Sequence, residues 1–284
     1  MRRVVGMRSR PFAQVDVFTA TPYFGNPVAV VLDAEGLTEP EMARFARWTN
    51  LSETTFVLPP SDPTADYRLR IFTPGGELPF AGHPTLGSAH AWLESGATGR
   101  SAGFLVQECG IGLVTLRRDG AHLSFAAPPL LRSGPVSAEV RDRVVRSLRV
   151  ASDAVVACEW IDNGVPWIGV VLPDGDSVLA LEPDVSLMGE LEIGVLGRWH
   201  EAHDADVEVR GFAPGLALSE DPVTGSLNAG FASWLIGAGL LPPRYVVAQG
   251  TALHRAGRVQ VDQVGDDIWI GGSTHTCIAG SVAL

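Results

Sequence analysis

The sequence reads Phe72-Thr73-Pro74-Gly75 in its first half and Phe212-Ala213-Pro214-Gly215 in its second, 140 residues later (212 − 72 = 140). Each stretch is followed by a glycine-punctuated turn and then by an apolar helical segment with a Trp-Leu pair. The pairs Trp92-Leu93 and Trp234-Leu235 lie 142 residues apart (234 − 92 = 142), so the two copies have nearly equal lengths. A chain of 284 residues with this repeat is expected to form two homologous halves packed around a shared cleft.

The two turns carry the residues that could do chemistry. The first reads Ala81-Gly82-His83-Pro84-Thr85, and the second reads Glu220-Asp221-Pro222-Val223-Thr224-Gly225-Ser226. Both place small residues and a titratable group where a helix begins. The N–H groups of a first helical turn have no partner within the helix, so such a position favours a bound anion.

Composition and charge limit the class of protein. The net charge of −11 and the lack of an Arg-rich run argue against nucleic-acid binding. Three cysteines are too few and too widely spaced for a disulfide framework or a zinc site, which favours a reduced cytosolic setting. The segment 1–12 is basic but lacks the apolar core of a signal peptide, and the apolar stretch 231–241 is too short to span a bilayer. We expect a cytoplasmic protein with no membrane partner.

All 21 basic residues counted as Lys or Arg are arginine, and lysine does not occur. A pyridoxal phosphate Schiff base, a lysine-dependent aldolase and a P-loop each need an amine, so all three are excluded. Lysine is also excluded as a proton-transfer base, because the arginine guanidinium stays charged at any working pH.

The pattern of short strands with one long apolar helix per half predicts an α+β protein. We expect two pseudo-symmetric halves, 12–130 and 131–284, each a curved, mostly antiparallel sheet wrapped around a central helix. The last strand could return to the first half, and the Pro-rich segment 127–135 is the best linker candidate. The predicted helices include 39–48, 85–93 and 138–148. The predicted strands are 14–19, 28–32, 53–58, 67–72, 104–107, 112–116, 122–125, 154–160, 167–172, 207–212, 245–248, 258–261 and 268–270.

Four residues are candidates for a functional site, and each also has an ordinary structural interpretation. Glu53 could be a solvated carboxylate at a strand edge, and His83 a hydrogen-bonding residue at a helix end. Asp221 before Pro222 fits an N-cap followed by proline at the first helical position. Ser226 could be only a small residue in a first helical turn. Their joint placement at or near the two repeated turns favours a shared site.

Several motifs, in order along the chain, resemble the PhzF-like family, the phenazine-biosynthesis isomerases and their relatives, which share the diaminopimelate epimerase fold. The match runs from about Gln14 to the C-terminal region, ending near Gln249-Gly250 and Gly257-Arg258-Val259. Several independent motifs in order are far more specific than any one turn. The motifs are 15–19 (VDVFT), 24–30 (FGNPVAV), 50–54 (NLSET), 82–90 (GHPTLGSAH) and 220–226 (EDPVTGS).

The resemblance implies an active site between the halves and no cofactor or metal. Carried over by position, Glu53 is the catalytic acid/base, and His83, Asp221 and Ser226 line the site. The chain departs from the family pattern in two places, with Pro84 where alanine is usual and Asn228 where a histidine is often found. The second departure could alter the choice of substrate.

The mechanism that fits these residues is a cofactor-free isomerisation of a small, cyclic or aromatic-precursor carboxylic acid. Glu53 takes a proton from an activated carbon and returns it at another carbon of the conjugated system, which requires a raised carboxyl pKa. The N–H groups of Gly82 and Gly225 hold the substrate carboxylate and any enolate-like charge. We also expect a homodimer.

Three other functional classes lack residues that they require in this sequence. A two-thiol epimerase needs a cysteine in each turn, whereas the cysteines lie elsewhere, at Cys109, Cys158 and Cys277. A metal site at 200–203 (HEAH) lacks a third ligand, and 110–112 (GIG) lacks the rest of a dinucleotide fingerprint. A non-catalytic carboxylate binder or interaction protein on the same scaffold remains the alternative, although a pure binder has little use for Glu53 in an anion site.

Overall fold

The computed structural model describes residues 8–120, 122–201, 203–216 and 218–284 of the chain. These residues divide into two compact units. Among these described residues, unit 1 comprises those from position 8 to Phe125 together with Ser273–Leu284, and unit 2 comprises those between Ala126 and Gly272.

Unit 1 contains one sheet with a long helix against it. Its strands pair in the order β18-β1-β2-β3-β4-β6-β7-β8, with β5 beside β4; the pairs β2–β3 and β4–β6 are parallel and the others antiparallel. The elements are β1 (Ser9–Val17), β2 (Asn26–Val31), α1 (Glu39–Thr49), β3 (Thr54–Leu58), β4 (Tyr67–Thr73), β5 (Gly76–Leu78), α2 (Gly82–Glu94), β6 (Phe104–Cys109), β7 (Gly112–Asp119), β8 (His122–Ala126) and β18 (Thr274–Ala283).

Unit 2 repeats this topology. Its strands pair in the order β9-β10-β11-β12-β13-β15-β16-β17, with β14 beside β13, and β11–β12 and β13–β15 are the parallel pairs. The elements are β9 (Arg132–Pro135), α3 (Ala138–Leu148), β10 (Ala157–Asp162), β11 (Trp167–Val171), α4 (Gly175–Leu179), α5 (Val185–Met188), β12 (Glu192–Arg198), β13 (Val207–Ala213), β14 (Leu218–Asp221), α6 (Gly225–Gly237), β15 (Arg244–Gln249), β16 (Gly257–Val264) and β17 (Asp267–Gly272). The predicted α+β class, with two homologous halves each built on a central helix, is confirmed.

The central helices α2 and α6 are equivalent in length and position. Each has 13 residues, and their first residues lie 143 positions apart (225 − 82 = 143). Equivalent glycines, Gly87 and Gly230 (230 − 87 = 143), bring each helix close to its own sheet. A Cβ atom at Gly87 would lie 2.4 Å from Val28 Cγ1, and one at Gly230 would lie 2.7 Å from the carbonyl oxygen of Ile161. Only glycine permits this close approach.

The outer helices cover the other side of each sheet. In unit 1, α1 contributes Met42, Phe45 and Ala46 to a core that includes Phe56 and Phe72. In unit 2, α3 contributes buried residues to a core with α4, α5 and four strands, among them Val144, Leu148, Val178, Met188, Cys158, Ile168, Ile193 and Phe212. The sheets therefore bury both faces, and the central helices lie deep inside their units.

Two local expectations are corrected by the structure. The helix expected over 85–93 begins three residues earlier, at Gly82, because Pro84 is tolerated in a first turn, where its missing N–H has no helical partner. The segment expected to be a linker contains a strand, β9, which pairs with β10. Pro135 is compatible with this strand because β9 ends the row of paired strands in unit 2.

Candidate active site

The structure of unit 1 brings Glu53 and His83 together. Glu53 immediately precedes β3, where its backbone carbonyl accepts a hydrogen bond from the N–H of Ala29 on the parallel strand β2. His83 is the second residue of α2. His83 Nε2 lies 3.2 Å from Glu53 Oε2, and the two side chains are 7% and 13% exposed. A carboxyl group and an imidazole thus share a nearly dry position at the start of the central helix.

The imidazole of His83 is neutral, and its tautomer follows from its neighbours. Burial lowers the pKa of His83 from 6.5 to about 3, although a hydrogen bond with the backbone of Pro27 opposes the shift. Proline has no N–H, so the Pro27 carbonyl must accept this bond and a ring nitrogen must donate it. Nε2 makes no hydrogen bond among the described residues, so Nδ1 carries the proton. Nε2, which lies 3.2 Å from Glu53 Oε2, is therefore unprotonated and keeps its lone pair.

This tautomer determines how Glu53 and His83 can interact. An imidazole with an unprotonated Nε2 can accept a hydrogen bond from a protonated carboxyl, but it has no proton there to give to a carboxylate. The 3.2 Å contact between these two atoms does not have the alignment of a hydrogen bond. With this tautomer, a protonated Glu53 could donate a hydrogen bond to Nε2 of His83.

The N-terminus of α2 is open to an anion. Its N-cap residue is Ala81, which offers no side-chain cap, and its first turn contains no acidic residue. The N–H groups of Gly82 and His83 precede Pro84, which has none. The partial positive charge of the helix N-terminus is therefore not neutralised by a capping side chain.

The structure of unit 2 places Asp221, Gly225 and Ser226 around the start of α6. Asp221 ends β14 and is 9% exposed, and the Thr224 hydroxyl donates to its Oδ2 at 2.7 Å. The interpretation of Asp221 as an N-cap is wrong. The helix begins at Gly225, so Thr224 occupies the N-cap position, and the strand that precedes it extends through Asp221.

Ser226 is oriented by two contacts that the sequence did not indicate. Its Oγ accepts a hydrogen bond from the indole N–H of Trp167 at 3.0 Å, and its carbonyl accepts one from Asn163 Nδ2 at 2.8 Å. Because an indole only donates, the Ser226 hydroxyl keeps its own proton for another acceptor. Trp167 and Asn163 lie about 60 positions earlier in the sequence, and no motif links them to Ser226.

A hydrogen-bonded network that the sequence did not predict connects Asp221 and Thr224 with Gln249 and Asn228. Gln249 Nε2 donates to the carbonyl of Asp221 at 3.2 Å and to Thr224 Oγ1 at 2.9 Å, while its Oε1 accepts from the Thr224 N–H at 3.0 Å. Asn228 Nδ2 donates to Gln249 Oε1 and to the Thr224 carbonyl, both at 2.8 Å. Asn228, the departure noted above, is thus a full member of this buried network.

The remaining reactive groups do not form a rival site. Burial raises the pKa of all three thiols, that of Cys158 to about 11, so none is a ready thiolate. The part of the chain that the structure describes contains no group of three or more His, Cys, Asp or Glu side chains placed to hold a metal ion. Within the same described residues, every helix is too short or too polar to cross a membrane.

Fold and site together define a duplicated α+β protein in which an uncapped central helix begins beside titratable groups in each unit. Residues 15–280 match the family described as phenazine biosynthesis-like protein, and the chain belongs to this family. The predicted resemblance is thereby confirmed. A solved member of the family from Enterococcus faecalis superimposes with a TM-score of 0.82 at 25% identity, covering 98% of this chain and all of that one.

Two curated relatives align with most of this chain. Antisense-enhancing sequence 1 of Schizosaccharomyces pombe is 39% identical, with 96% of this chain and 99% of that protein aligned. The trans-2,3-dihydro-3-hydroxyanthranilate isomerase of Pseudomonas fluorescens is 36% identical over 75% of this chain and 74% of its own length. The prediction of an enzyme of the isomerase class is confirmed by the isomerases among these relatives.

Proposed function

We propose that this protein is a cofactor-independent isomerase that moves a proton within a small cyclic carboxylic acid, with Glu53 as the acid/base. The observation that carries this proposal is the 3.2 Å contact between Glu53 Oε2 and the unprotonated Nε2 of a buried, neutral His83. A carboxyl group beside an unprotonated imidazole nitrogen can take up a proton and return it.

The reaction would proceed by removal and return of one proton. Glu53 takes a proton from an activated carbon of the substrate, and the electron pair of that C–H bond shifts into the conjugated system. Glu53 then delivers the proton to the carbon at the other end of that system. One C–H bond breaks and one forms, so neither an oxidant nor a metal is required for balance.

The remaining site residues would bind and orient the substrate. The N–H groups of Gly82 and Gly225 hold the substrate carboxylate and the negative charge that develops on it. The Ser226 hydroxyl, which still has a proton to donate, adds a third donor. Asp221 accepts a hydrogen bond from an amino or hydroxyl group of the substrate.

The substrate named for the Pseudomonas fluorescens relative, trans-2,3-dihydro-3-hydroxyanthranilate, is the first compound to test. Its conversion should be followed by ultraviolet absorbance and proton NMR after dialysis of the protein against EDTA, with Glu53→Gln as the negative control. Conversion by the dialysed wild type, and not by the variant, is expected. Conversion that depends on an added divalent ion would contradict the proposal.

A non-catalytic carboxylate binder remains the second candidate, because the name of the Schizosaccharomyces pombe relative is not that of an enzyme. The same assay separates the two. A binder would change the chemical shifts of the ligand without forming product, at any enzyme concentration. The cytoplasmic location and the homodimer inferred from the sequence stay predictions.

A further inference from the structure

Thr224 occupies the N-cap position of α6 but does not cap the helix. Threonine is a preferred N-cap because its hydroxyl can accept a hydrogen bond from the N–H of the second or third helical residue. Here no side-chain cap is formed. The hydroxyl instead donates to Asp221 Oδ2 at 2.7 Å and accepts from Gln249 Nε2 at 2.9 Å.

The directions of these hydrogen bonds are fixed by backbone groups. Gln249 Oε1 faces the N–H of Thr224, which can only donate, and Gln249 Nε2 faces the carbonyl of Asp221, which can only accept. The orientation of the amide is therefore settled by its partners. Because Nε2 donates to Thr224 Oγ1, the hydroxyl proton of Thr224 must point to Asp221. The network makes the Asp221 carboxylate an acceptor.

The amide of Gln249 is fully used. Its oxygen accepts two hydrogen bonds, from Thr224 and Asn228, and its nitrogen donates two, to Asp221 and Thr224. Gln249 is 0% exposed and Asn228 is 1% exposed. In such a buried position an unmade hydrogen bond is costly, so the network holds one arrangement firmly.

We propose that Gln249 is a positioning residue of the active site and has two effects. It fixes Asp221 as a hydrogen-bond acceptor, and it holds the Thr224 hydroxyl away from the helix, so that the N–H groups at the start of α6 stay available for a substrate carboxylate. This inference rests on the proposed function. The sequence motif alone predicts the opposite arrangement, because a threonine at the N-cap ordinarily accepts a hydrogen bond from one of those N–H groups.

In unit 1 the central helix α2 also lacks a side-chain cap, for a simpler reason. The N-cap residue of α2 is Ala81, which has no oxygen to offer. The glutamine equivalent to Gln249, Gln107 (249 − 107 = 142), is also 0% exposed. Its side chain forms hydrogen bonds with Thr85 and Tyr67, neither of which is an N-cap residue. Gln107 therefore provides a matched control for the loss of a buried amide.

The test compares Gln249→Met, Thr224→Val and the double variant with Gln107→Met. Amide hydrogen exchange of Ser226 and Leu227, the second and third residues of α6, reports capping without any ligand. Calorimetric titration with 3-hydroxyanthranilate, the aromatic analogue of the substrate tested above, reports carboxylate binding.

In Gln249→Met the freed Thr224 hydroxyl should cap the helix. Exchange at Ser226 or Leu227 should slow by about fivefold or more, and affinity for the probe should fall about tenfold. In the double variant no hydroxyl is left, so exchange and affinity should return to the values of Thr224→Val. Gln107→Met should lower thermal stability to a similar extent and leave affinity unchanged.

A purely structural role for Gln249 makes the opposite predictions. The double variant would then bind no better than Gln249→Met, and exchange would speed up in both, which would overturn the inference. If Gln249→Met does not fold, hydrogen exchange of the wild-type protein without ligand still tests the inference. Slow exchange at Ser226 and Leu227 would contradict an uncapped helix. If the wild type neither binds nor converts the compounds, the proposed function fails, while the exchange data still judge the role of Gln249.

Discussion

At the scale of single residues, the site depends on where one proton resides. The donor bond from His83 Nδ1 to the Pro27 carbonyl leaves Nε2 as an acceptor, and Glu53 Oε2 is the atom at 3.2 Å from it. A histidine that is neutral near pH 7 gives Glu53 a neighbour that can accept a hydrogen bond from its protonated carboxyl group. This arrangement suits the proposed role of Glu53, in which the carboxyl group alternates between acid and base.

Substitution of Glu53 by glutamine tests this role directly. Glutamine keeps the shape but cannot transfer a proton, so turnover should fall by about 10²–10⁴, the usual contribution of a general acid/base. Affinity for 3-hydroxyanthranilate and the melting temperature should stay close to wild type. A variant that retains activity within tenfold of wild type would remove Glu53 from the mechanism.

The neutral state of His83 gives a second prediction. Its pKa is lowered from 6.5 to about 3, so between these values the unfolded state binds more protons, and this group makes the protein less stable as the pH falls through that window. Nitrogen-15 shifts of the imidazole should show the Nδ1–H tautomer, unchanged from pH 8 to pH 5. An imidazole that titrates near pH 6.5 would contradict the tautomer and the proton-sharing argument built on it.

At the scale of secondary-structure elements, the sequence predicts the amphipathic helices more accurately than the largely buried central ones. The 3.6-residue apolar pattern predicts α1 to within one residue at its end and α3 at both ends. The central helices are rich in apolar and small residues and lack a clear polar face, and the predicted start of α2 is three residues late. The strand β9 was missed because four residues with Gly134 and Pro135 resemble a linker.

The same limit applies to the site. The sequence predicts Glu53, His83, Asp221 and Ser226 as site residues because they lie in or near the repeated turns and in family-like motifs. It gives Gln249 and Trp167 no role at the site, because β15 and β11 meet the start of α6 only through tertiary structure. No local pattern records that Gln249 faces Thr224, 25 positions away.

Glu208, a buried acid on β13 of unit 2, should change the pH dependence of stability in the opposite direction to His83. Burial raises the pKa of Glu208 on β13 from 4.5 to about 7, against the opposing effects of Thr251, Arg258 and Arg210. The folded state therefore binds more protons between these values, and this group costs stability as the pH rises from about 4.5 to 7. Glu208→Gln should leave stability nearly unchanged at pH 5.

At pH 8 the same variant should be more stable than wild type by about 1–3 kcal/mol, given about 1.4 kcal/mol for each unit of pKa shift and a discount for relaxation. Urea unfolding at the two pH values measures this difference. The exposed Glu139→Gln on α3 is the control and should show no pH-dependent gain. Equal effects of Glu208→Gln at pH 5 and pH 8 would show that Glu208 is not protonated in the folded protein.

At the scale of the whole molecule, the scaffold is duplicated but the chemistry is not. The two sheets have the same strand order and the same parallel pairs, and both central helices begin without a side-chain cap. Yet the acid next to a neutral histidine occurs in unit 1, whereas unit 2 has an aspartate, a serine and a buried amide network. The two units therefore carry different groups at equivalent places in their own folds.

We predict that Glu53 and Asp221 are each indispensable for the proposed reaction. Asp221→Asn and Glu53→Gln should each remove more than about 90% of the activity on one substrate, because the proposal assigns proton transfer to Glu53 and a hydrogen bond from the substrate to Asp221. The exposed Asp142→Asn of unit 2 makes the same change of charge away from α6 and should keep full activity. Initial rates of the four proteins at equal concentration, with folding checked by circular dichroism, measure these effects. A folded Asp221→Asn variant that keeps about half of the rate or more would contradict the role proposed for Asp221.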